Sequence, residues 1–415
     1  MANLDWRIHT LVVGAGQAGL ATSYFLTHQN IPHVVLDRSG IGSAWKYERW
    51  DSFTLVTPNW TIQLPGASYV GNEPNSFLPR DEFVAWLEDW ATNFSCPVVS
   101  GVEVTGVGSG KGTFEVETSD GYWCSQNIVI ATSTYQRPRR PSISDQIPSS
   151  IYQLDASNYR SPDSLKKGSV LIIGSGQTGC QIAEEINEAG YRTYLSTGKS
   201  GRLPRRYRGR DCLEWQLDMG FLDRTPDMLK SPADRFRGDP HVSGKAGGRT
   251  LSLHKFEREG ITLLGHLEDV QGSCIYLKND LNNNVLFSDI YANEFMQSVD
   301  EYIERGSLAA PAATQTELEG GPLSNNKNRA PVSSIDLFER DIKTLIWSTG
   351  FSFNFEWIDF PVTDEFGYPI TNMGATDTPG LYFCGLNWMS KRKSGIIFGV
   401  HDDAHVVAQQ IAREI

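Results

Sequence analysis

Residues 169–197 read SVLIIGSGQTGCQIAEEINEAGYRTYLST, and this stretch decides the fold. Ser169–Ile173 is a short apolar run that predicts a buried parallel strand. The run is followed by glycines at G-x-G-x-x-G spacing, namely Gly174, Gly176 and Gly179. The pattern of Gln177–Ala189 predicts a helix, and Arg192–Ser196 predicts a second strand. The order of these elements is typical of a βαβ unit that binds a dinucleotide, with the pyrophosphate at the helix N-terminus.

The same pattern occurs a second time near the start of the chain. Residues 8–37 read IHTLVVGAGQAGLATSYFLTHQNIPHVVLD and again have glycines at this spacing, namely Gly14, Gly16 and Gly19. A lone G-x-G-x-x-G is weak evidence, since ordinary tight turns also contain glycines. Two copies, each between a recognisable strand and a recognisable helix, indicate two dinucleotide-binding units.

The two units differ at the end of their second strands. In the first unit that strand ends at Asp37, where a carboxylate accepts hydrogen bonds from a ribose. In the second it ends at Ser196 and Thr197, and basic residues follow, namely Lys199, Arg202, Arg205, Arg206, Arg208 and Arg210. A carboxylate repels a 2′-phosphate, whereas a hydroxyl and an arginine bind one, so we predict FAD in the first unit and NADPH in the second. The alternative is that the basic residues form only a solvated loop.

The composition is that of an ordinary globular protein. The 415 residues are enough for two or three domains, with 40% hydrophobic and 21% charged residues. The net charge of −12 argues against a nucleic acid partner. No apolar run reaches the ~18 residues of a membrane span, so no membrane partner is expected. The six cysteines never form C-x-x-C, which favours reduced thiols in the cytoplasm and argues against a flavin disulfide reductase.

Several shorter motifs accompany the two glycine motifs. They are the Trp45 segment, ATST at 131–134, STGF at 348–351 and the terminal strand at 381–385. In this order, together with GAGQAG and GSGQTG, they resemble the class B flavoprotein monooxygenases, the family of the flavin-containing monooxygenases, the plant YUCCA enzymes and the Baeyer–Villiger monooxygenases. The resemblance covers nearly the whole chain.

The resemblance implies an α/β fold with two Rossmann-like dinucleotide-binding domains, in which an FAD domain is interrupted by an NADPH domain. We place the first part of the FAD domain at 1–165, the NADPH domain at 166–338 and the second part of the FAD domain at 339–415. Residues 306–333 are rich in Ala, Pro, Gly, Ser and Asn and are expected to form a surface loop. The A-T-G-like turns are then the crossings between the domains.

The resemblance also implies the chemistry, which the flavin carries. NADPH reduces FAD, oxygen adds at the flavin C4a carbon, and the C4a-hydroperoxyflavin gives its distal oxygen to a small molecule at nitrogen, sulfur or a carbonyl. A small-molecule substrate and O2 are therefore the expected partners, and a homodimer is left open. Two alternatives remain. One is an NADPH oxidase or reductase that passes electrons elsewhere, and the other is a flavin-binding interaction protein without turnover.

One fingerprint of the family is degraded in this chain. Before its second glycine motif the family has F-x-G-x-x-x-H-x-x-x-Y. With this pattern aligned on Tyr159, the Phe, Gly and His positions hold Ser149, Ile151 and Asp155. The chain is therefore predicted to be a divergent branch, and this departure supports the oxidase alternative.

The motifs define the expected cofactor-binding residues. For FAD these are Gly14, Gly16, Gln17, Ala18, Gly19, Asp37, Arg38, Trp45, Val104, Thr132, Gly385 and Leu386. For NADPH these are Gly174, Ser175, Gly176, Gln177, Thr178, Gly179, Ser196, Thr197, Arg202, Arg205, Arg206, Thr349 and Gly350. No metal site is predicted.

Asn59 is the expected catalytic side chain. It follows the aromatic segment where the family often has an Asn, so its amide would lie near the flavin and bond the hydroperoxide or NADP. A turn residue after Pro58 is an equally good interpretation.

Overall fold

The computed structural model describes residues 5–110, 112–238, 240–322, 329 and 331–413. The strands are β1 Asp5–Val13, β2 His33–Asp37, β3 Gln63–Leu64, β4 Ala67–Ser68, β5 Val98–Ser100, β6 Val104–Ser109, β7 Phe114–Thr118, β8 Gly121–Ile130, β9 Arg137–Pro138, β10 Tyr152–Asp155, β11 Ser169–Ile173, β12 Thr193–Ser196, β13 Arg206–Tyr207, β14 Arg210–Asp211, β15 Thr262–Leu264, β16 Leu267–Gln271, β17 Cys274–Leu277, β18 Ser334–Asp336, β19 Ile342–Trp347, β20 Phe351–Ser352 and β21 Leu381–Phe383. The helices are α1 Gln17–His28, α2 Ser43–Tyr47, α3 Arg80–Asn93, α4 Gln177–Glu188, α5 Cys212–Asp218, α6 Leu253–Arg258, α7 Leu281–Gly306, α8 Gln315–Leu318 and α9 Val400–Arg413. Among these described helices, none is long and apolar enough to cross a membrane.

The first sheet has seven strands and is built around the first glycine motif. Its order is β5-β2-β1-β8-β7-β6, and β21 also pairs with β8. Strands β1, β2, β5, β8 and β21 run parallel, whereas β6, β7 and β8 form an antiparallel meander. Alternate residues of β1 face opposite layers. Val12 packs in the cluster that includes Ala21 and Val407 of α1 and α9, and Leu11 packs in the cluster that includes Phe355. The central strand is therefore covered on both faces.

The second sheet has five strands, all parallel, in the order β10-β19-β11-β12-β15. All five residues of β11 are buried, as the apolar run Ser169–Ile173 predicts. Ile172 packs in the cluster that includes Ile182 and Ile186 of α4, and Leu171 packs against the small β16-β17-β18 sheet. The mixed α/β fold with two nucleotide-binding sheets is therefore confirmed.

Two strands of the second sheet lie outside the range predicted for the NADPH domain. Strand β10, at Tyr152–Asp155, precedes residue 166, and strand β19, at Ile342–Trp347, follows residue 338. Strand β19 pairs with both β10 and β11, so it lies inside the sheet. The boundaries at 165/166 and 338/339 are therefore corrected to the crossings near 140 and 350. The sequence signal was insufficient because neither strand carries a nucleotide motif, and only their pairing assigns them.

The two crossings between the sheets lie side by side. Strand β9 pairs with β20 in antiparallel fashion. The Thr349 hydroxyl donates to the Arg139 carbonyl, and the Arg139 N–H donates to the Gly350 carbonyl over 2.8 Å. The chain therefore leaves and re-enters the first sheet through one two-stranded strap. Because β8 leads into β9 and β19 leads into β20, the carboxyl ends of β8 and β19 both lead to this strap.

The segment 306–333, expected to be a surface loop, contains the short helix α8. A capping box at its start joins the Thr314 side chain to the Glu317 N–H and the Glu317 side chain to the Thr314 N–H. Residues 323–328 and 330 of this segment lie outside the described part of the chain.

The corrected boundaries predict which fragment folds alone. A fragment of residues 141–351 contains all five strands of the second sheet, whereas residues 166–338 lack β10 and β19 and leave one side of β11 unpaired. We expect the longer fragment to show dispersed amide resonances and a cooperative thermal transition. The shorter fragment should show neither, because it exposes buried strand β11. A cooperative transition for the shorter fragment would contradict the corrected boundaries.

Candidate functional site

The first crossing packs directly on the first glycine motif. Gly14 has φ +106°, and a Cβ there would lie 2.8 Å from the carbonyl oxygen of Ala131. A Cβ at Gly19 would overlap the carbonyl oxygen of Gly14. Both positions therefore require glycine, because backbone packs on backbone where β1 meets α1 and where β8 ends.

The second motif repeats this arrangement with the second crossing. Gly174 also has φ +106°, and a Cβ there would overlap the carbonyl oxygen of Ser348. A Cβ at Gly179 would overlap the Gly174 carbonyl oxygen. Thr349 and Gly350 follow in the same crossing, so the structure brings these expected NADPH residues to the second motif.

The middle glycine of each motif lies in different surroundings. A Cβ at Gly16 or Gly176 would meet no atom within 4 Å, and their φ values of −80° and −68° suit any residue. Each is the N-cap of a 12-residue helix and has no side-chain cap, so no N-cap side chain accepts from the first N–H groups of α1 and α4. This bare backbone at a helix N-terminus fits the pyrophosphate of a dinucleotide.

Asp37 is held in place at the end of β2. Its Oδ2 accepts a hydrogen bond of 2.8 Å from the Ala15 N–H, and its Oδ1 accepts from the N–H groups of Ser39 and Gly40 at 2.8 and 2.7 Å. The Ser43 hydroxyl also donates to Oδ1, over 3.4 Å. Among the described residues Oδ2 accepts only from the Ala15 N–H, so its second lone pair is open to a ribose hydroxyl. The side chain is half-buried beside the first motif, where the sequence places the FAD ribose.

The C-terminal segment covers the start of α1. The Gln17 side-chain amide donates to the Gly395 carbonyl over 3.0 Å. Gly385 has φ +78°, and a Cβ there would overlap the Cβ of Ala18. Leu386 is 1% exposed, so its side chain is buried and only its backbone could contact a cofactor. The structure therefore brings these expected FAD residues together from opposite ends of the chain.

The other expected FAD residues lie around this motif. Thr132 directly follows the residue that packs on Gly14. Arg38 is exposed and Trp45 half-buried, both in the segment that follows β2. Val104 begins β6, two residues after an N–H that donates to the Asp37 carbonyl over 3.1 Å. These positions are compatible with the predicted FAD site.

Ser196 and Thr197 are not available to a phosphate, and their predicted role is corrected. They are 2% and 1% exposed. The Ser196 hydroxyl donates to the Gly265 carbonyl over 2.9 Å, and the Thr197 hydroxyl donates to the Leu264 carbonyl over 2.7 Å. Both hydroxyl protons are therefore engaged with β15 and the residue that follows it.

Arg202 and Arg205 are also corrected as ligands of the 2′-phosphate. They are 5% and 3% exposed. Arg202 pairs with Asp289 at 2.9 Å, and Arg205 pairs with Asp211 at 2.6 Å. A guanidinium in a buried ion pair cannot turn to a ligand without leaving its carboxylate buried and unpaired.

Two exposed cations of the basic segment remain candidates for the 2′-phosphate, Lys199 and Arg206. Lys199 follows Gly198, whose N–H donates to the Ser175 hydroxyl over 3.0 Å. The lysine therefore lies beside the second glycine motif, and it has no ion pair within the described residues. Arg206 donates to the Gly247 carbonyl over 3.2 Å. Lys199 is the better placed of the two.

His241 supports the second motif and was not predicted from the sequence. Its ring is fully buried, and Nε2 lies 2.6 Å from the Ser175 carbonyl oxygen. Burial lowers the pKa of His241 to about 4, so near pH 7 the ring is neutral and Nε2–H donates to that carbonyl. The N–H of the following residue, Val242, donates to the side-chain oxygen of Gln177 over 3.4 Å. Gln177 immediately precedes Thr178, another expected NADPH residue. A lone histidine 66 residues from Ser175 carries no sequence signal.

Asn59 has a structural role, which corrects its predicted catalytic role. It is 2% exposed. Its Nδ2 donates to the Glu73 carbonyl over 2.9 Å, and its Oδ1 accepts from the Leu78 N–H over 2.7 Å. Both ends of the amide therefore hold the loop at 73–78, as the turn interpretation requires.

The changed fingerprint also has a structural explanation. The Asp155 carboxylate pairs with Arg140 at 2.9 Å, beside the first crossing. Tyr159, the retained residue, is fully buried in the core cluster. Tyr159 therefore packs in the core, and Asp155, at the position of the family histidine, forms an ion pair.

Comparisons with known proteins agree with this geometry. A family model described as pyridine nucleotide-disulphide oxidoreductase matches residues 11–209. The chain is 30% identical over 407 residues to an uncharacterized CzcO-like oxidoreductase of Geobacillus kaustophilus (strain HTA426), covering 97% of this chain and 98% of that protein. It is 29% identical over 181 residues to the probable indole-3-pyruvate monooxygenase YUCCA1 of Arabidopsis thaliana, covering 42% of this chain and 44% of that protein. The fold is similar to that of the flavin-containing monooxygenase from Stenotrophomonas maltophilia, with a TM-score of 0.66 and 17% identity over 99% of both chains.

The open middle glycines provide a matched pair of tests. Gly16→Val should keep the fold, since its Cβ meets no atom, but should weaken FAD binding at least tenfold because the side chain occupies the pyrophosphate position. Gly176→Val should retain FAD and instead weaken NADP binding. Flavin absorbance per protein and NADP titration measure these effects. Normal FAD content in Gly16→Val would refute the site assignment.

Lys199 predicts the coenzyme preference. A charge-assisted hydrogen bond contributes about 1.5–3 kcal/mol, which is roughly tenfold or more in affinity. Lys199→Ala should therefore raise KM for NADPH about tenfold and leave KM for NADH nearly unchanged, with a smaller effect for Arg206→Ala. Steady-state kinetics with both coenzymes measure this difference. Equal use of NADH and NADPH by the unchanged protein would contradict a 2′-phosphate site.

Proposed function

Because the chain belongs to the class B flavoprotein monooxygenase family, we propose that it is a monooxygenase that inserts one oxygen atom of O2 into a small molecule. It is an FAD-dependent oxidoreductase, and its cofactors are FAD and NADPH. We assign FAD to the first glycine motif, beside Asp37, and NADPH to the second, beside Lys199.

The paired crossings are the observation that carries this proposal. The first crossing packs on Gly14 and the second packs on Gly174. The two crossings pair with each other at β9 and β20. Two dinucleotides bound at the two motifs would therefore both lie beside this strap, where a nicotinamide could meet a flavin.

FAD, when bound, supplies the electron transfer and the activation of oxygen. The chain's own residues would bind the two cofactors, orient them and limit the access of water. The N-termini of α1 and α4 would hold the pyrophosphates, and Asp37 would orient a ribose. At the strap, Tyr135 packs edge-to-face on Phe351 with ring centroids 5.6 Å apart, and its hydroxyl accepts from the Asn387 amide over 3.0 Å. This contact ties the C-terminal segment to the strap, while Tyr135 itself stays 44% exposed. Exclusion of water from a bound flavin is part of the proposal, because it favours oxygen transfer over release of peroxide.

The cysteines do not support disulfide chemistry, despite the description of the matching family model. All six are free thiols. Burial raises the pKa of the Cys96 thiol to about 11 and that of Cys384 to about 12. Thiolates are the reactive species in disulfide exchange, so these thiols are poor candidates for a redox pair.

An NADPH oxidase is the second candidate. The observation that favours it is the ion pair of Asp155 with Arg140 where the family fingerprint has a histidine. In that case reduced flavin would pass its electrons to O2 and release hydrogen peroxide.

We propose three classes of oxygenated group, namely a nitrogen, a sulfur or a carbonyl. A panel of small amines, thioethers and ketones therefore covers the proposed chemistry. A cytoplasmic location and a homodimer stay predictions from the sequence.

Isotope labelling separates the two candidate functions. With NADPH, a productive substrate and 18O2, a monooxygenase incorporates one 18O atom into each product molecule, and each productive turnover consumes one NADPH. Hydrogen peroxide should then account for less than half of the NADPH. Stoichiometric peroxide with every member of the panel would favour the oxidase, and the absence of any NADPH-driven flavin reduction would reject both functions.

A further inference from the structure

Arg205 lies at the contact between the two nucleotide-binding domains. Its guanidinium pairs with Asp211 of its own domain at 2.6 Å. Its Nη1 donates to the Val56 carbonyl of the first domain over 2.8 Å. The guanidinium also lies over the Phe77 ring of the first domain, 4.6 Å from the centroid. One buried cation therefore contacts its own domain through a charge and the other domain through a carbonyl and a ring.

The second domain holds this guanidinium in a fixed position. Asp211 is the N-cap of α5, and its Oδ1 accepts from the Leu213 N–H over 2.9 Å while Oδ2 faces the arginine. The Arg205 N–H donates to the Thr250 hydroxyl over 2.9 Å. The arginine is thus anchored at its backbone and at its head group.

The first domain presents an equally fixed surface. Phe77 is 5% exposed and lies in the loop at 73–78 that Asn59 holds. Beside it, a Cβ at Gly244 of the second domain would overlap the Leu55 carbonyl oxygen. A Cβ at Gly248 would lie 2.6 Å from the Phe77 ring. At this contact the backbone of the second domain therefore packs directly on the backbone and on the Phe77 ring of the first domain.

We propose that Arg205 is a positioning residue that holds the NADPH domain against the flavin domain in the orientation that allows hydride transfer. Asp211 neutralises the guanidinium within its own domain, so the arginine can contact the flavin domain without adding net charge to the interface. Among the described residues Arg205 touches neither glycine motif. It therefore acts through the orientation of the domains and not through contact with a cofactor. This inference rests on the proposed function.

Anaerobic stopped-flow reduction of the FAD-loaded protein by NADPH tests this role. In this reaction NADPH gives a hydride to FAD, solvent supplies one proton, and NADP+ and reduced FAD result. Arg205→Lys keeps the charge but loses the planar contact with Phe77, and Phe77→Leu removes the ring while leaving the ion pair intact. Arg208→Lys is the control, because Arg208 pairs with Asp300 at 2.7 Å within the second domain.

Both test variants should lower the limiting rate of flavin reduction at least tenfold. Their FAD content, their reduction by dithionite and their Kd for NADPH should stay within threefold of the unchanged protein. The control should keep the limiting rate within twofold.

Three results would overturn this role. An unchanged limiting rate would show that the contact does not orient the domains. A raised Kd with an unchanged rate would make Arg205 a phosphate ligand. Failure of both variants to fold with FAD would make the contact purely structural. Failure of the proposed function is distinguishable, since the unchanged protein itself would then show no reduction by NADPH.

Discussion

The structure depends on the close approach of two backbones at the third glycine of each nucleotide motif. A methyl group at Gly19 or Gly179 would overlap the carbonyl oxygen of the first glycine of the same motif. This approach fixes the angle between strand and helix, and with it the direction of the free N–H groups at the helix N-terminus. The middle glycines are then left in open space, where bare backbone can meet a pyrophosphate.

The crossings extend this constraint from one sheet to the next. Each crossing begins where a strand ends, in contact with the first glycine of a motif. The chain then turns at a residue with a left-handed backbone conformation. That residue is Gly350, with φ +87°, in the second crossing and Ser133, with φ +61°, in the first. A left-handed serine costs roughly 1–2 kcal/mol, so the surrounding packing must hold it. The serine therefore marks the position at which the A-T-G-like turn of the first crossing needs glycine geometry.

Much of the positive charge near the second motif stabilises the protein and is not available to ligands. Arg202 and Arg205 are buried with carboxylates, and Arg208 pairs with Asp300 at 2.7 Å. Breaking either of the two buried pairs, Arg202–Asp289 or Arg205–Asp211, costs about 3–5 kcal/mol, because one charge is left without its partner. We therefore expect a ligand phosphate to meet an exposed cation such as Lys199. The buried arginines instead contact other parts of the protein, as Arg202 does with Asp289 and Arg205 with the Val56 carbonyl.

The sequence alone determined the two nucleotide-binding units, because G-x-G-x-x-G between an apolar run and a helix is a local pattern dictated by local sterics. It also predicted Asp37 at the first site, since that position lies at a fixed distance along the same unit. Only the tertiary structure decided which side chains are available. Asn59 and Arg205 look like ligands in the sequence. The Asn59 amide instead bonds to residues 14 and 19 positions away, and the Arg205 guanidinium bonds to the nearby Asp211 and to the Val56 carbonyl, 149 positions away. His241 gave no signal because its role depends on a contact between segments 66 residues apart. Local geometry can be predicted from spacing, whereas hydrogen-bond partners, burial and domain boundaries depend on contacts between distant segments.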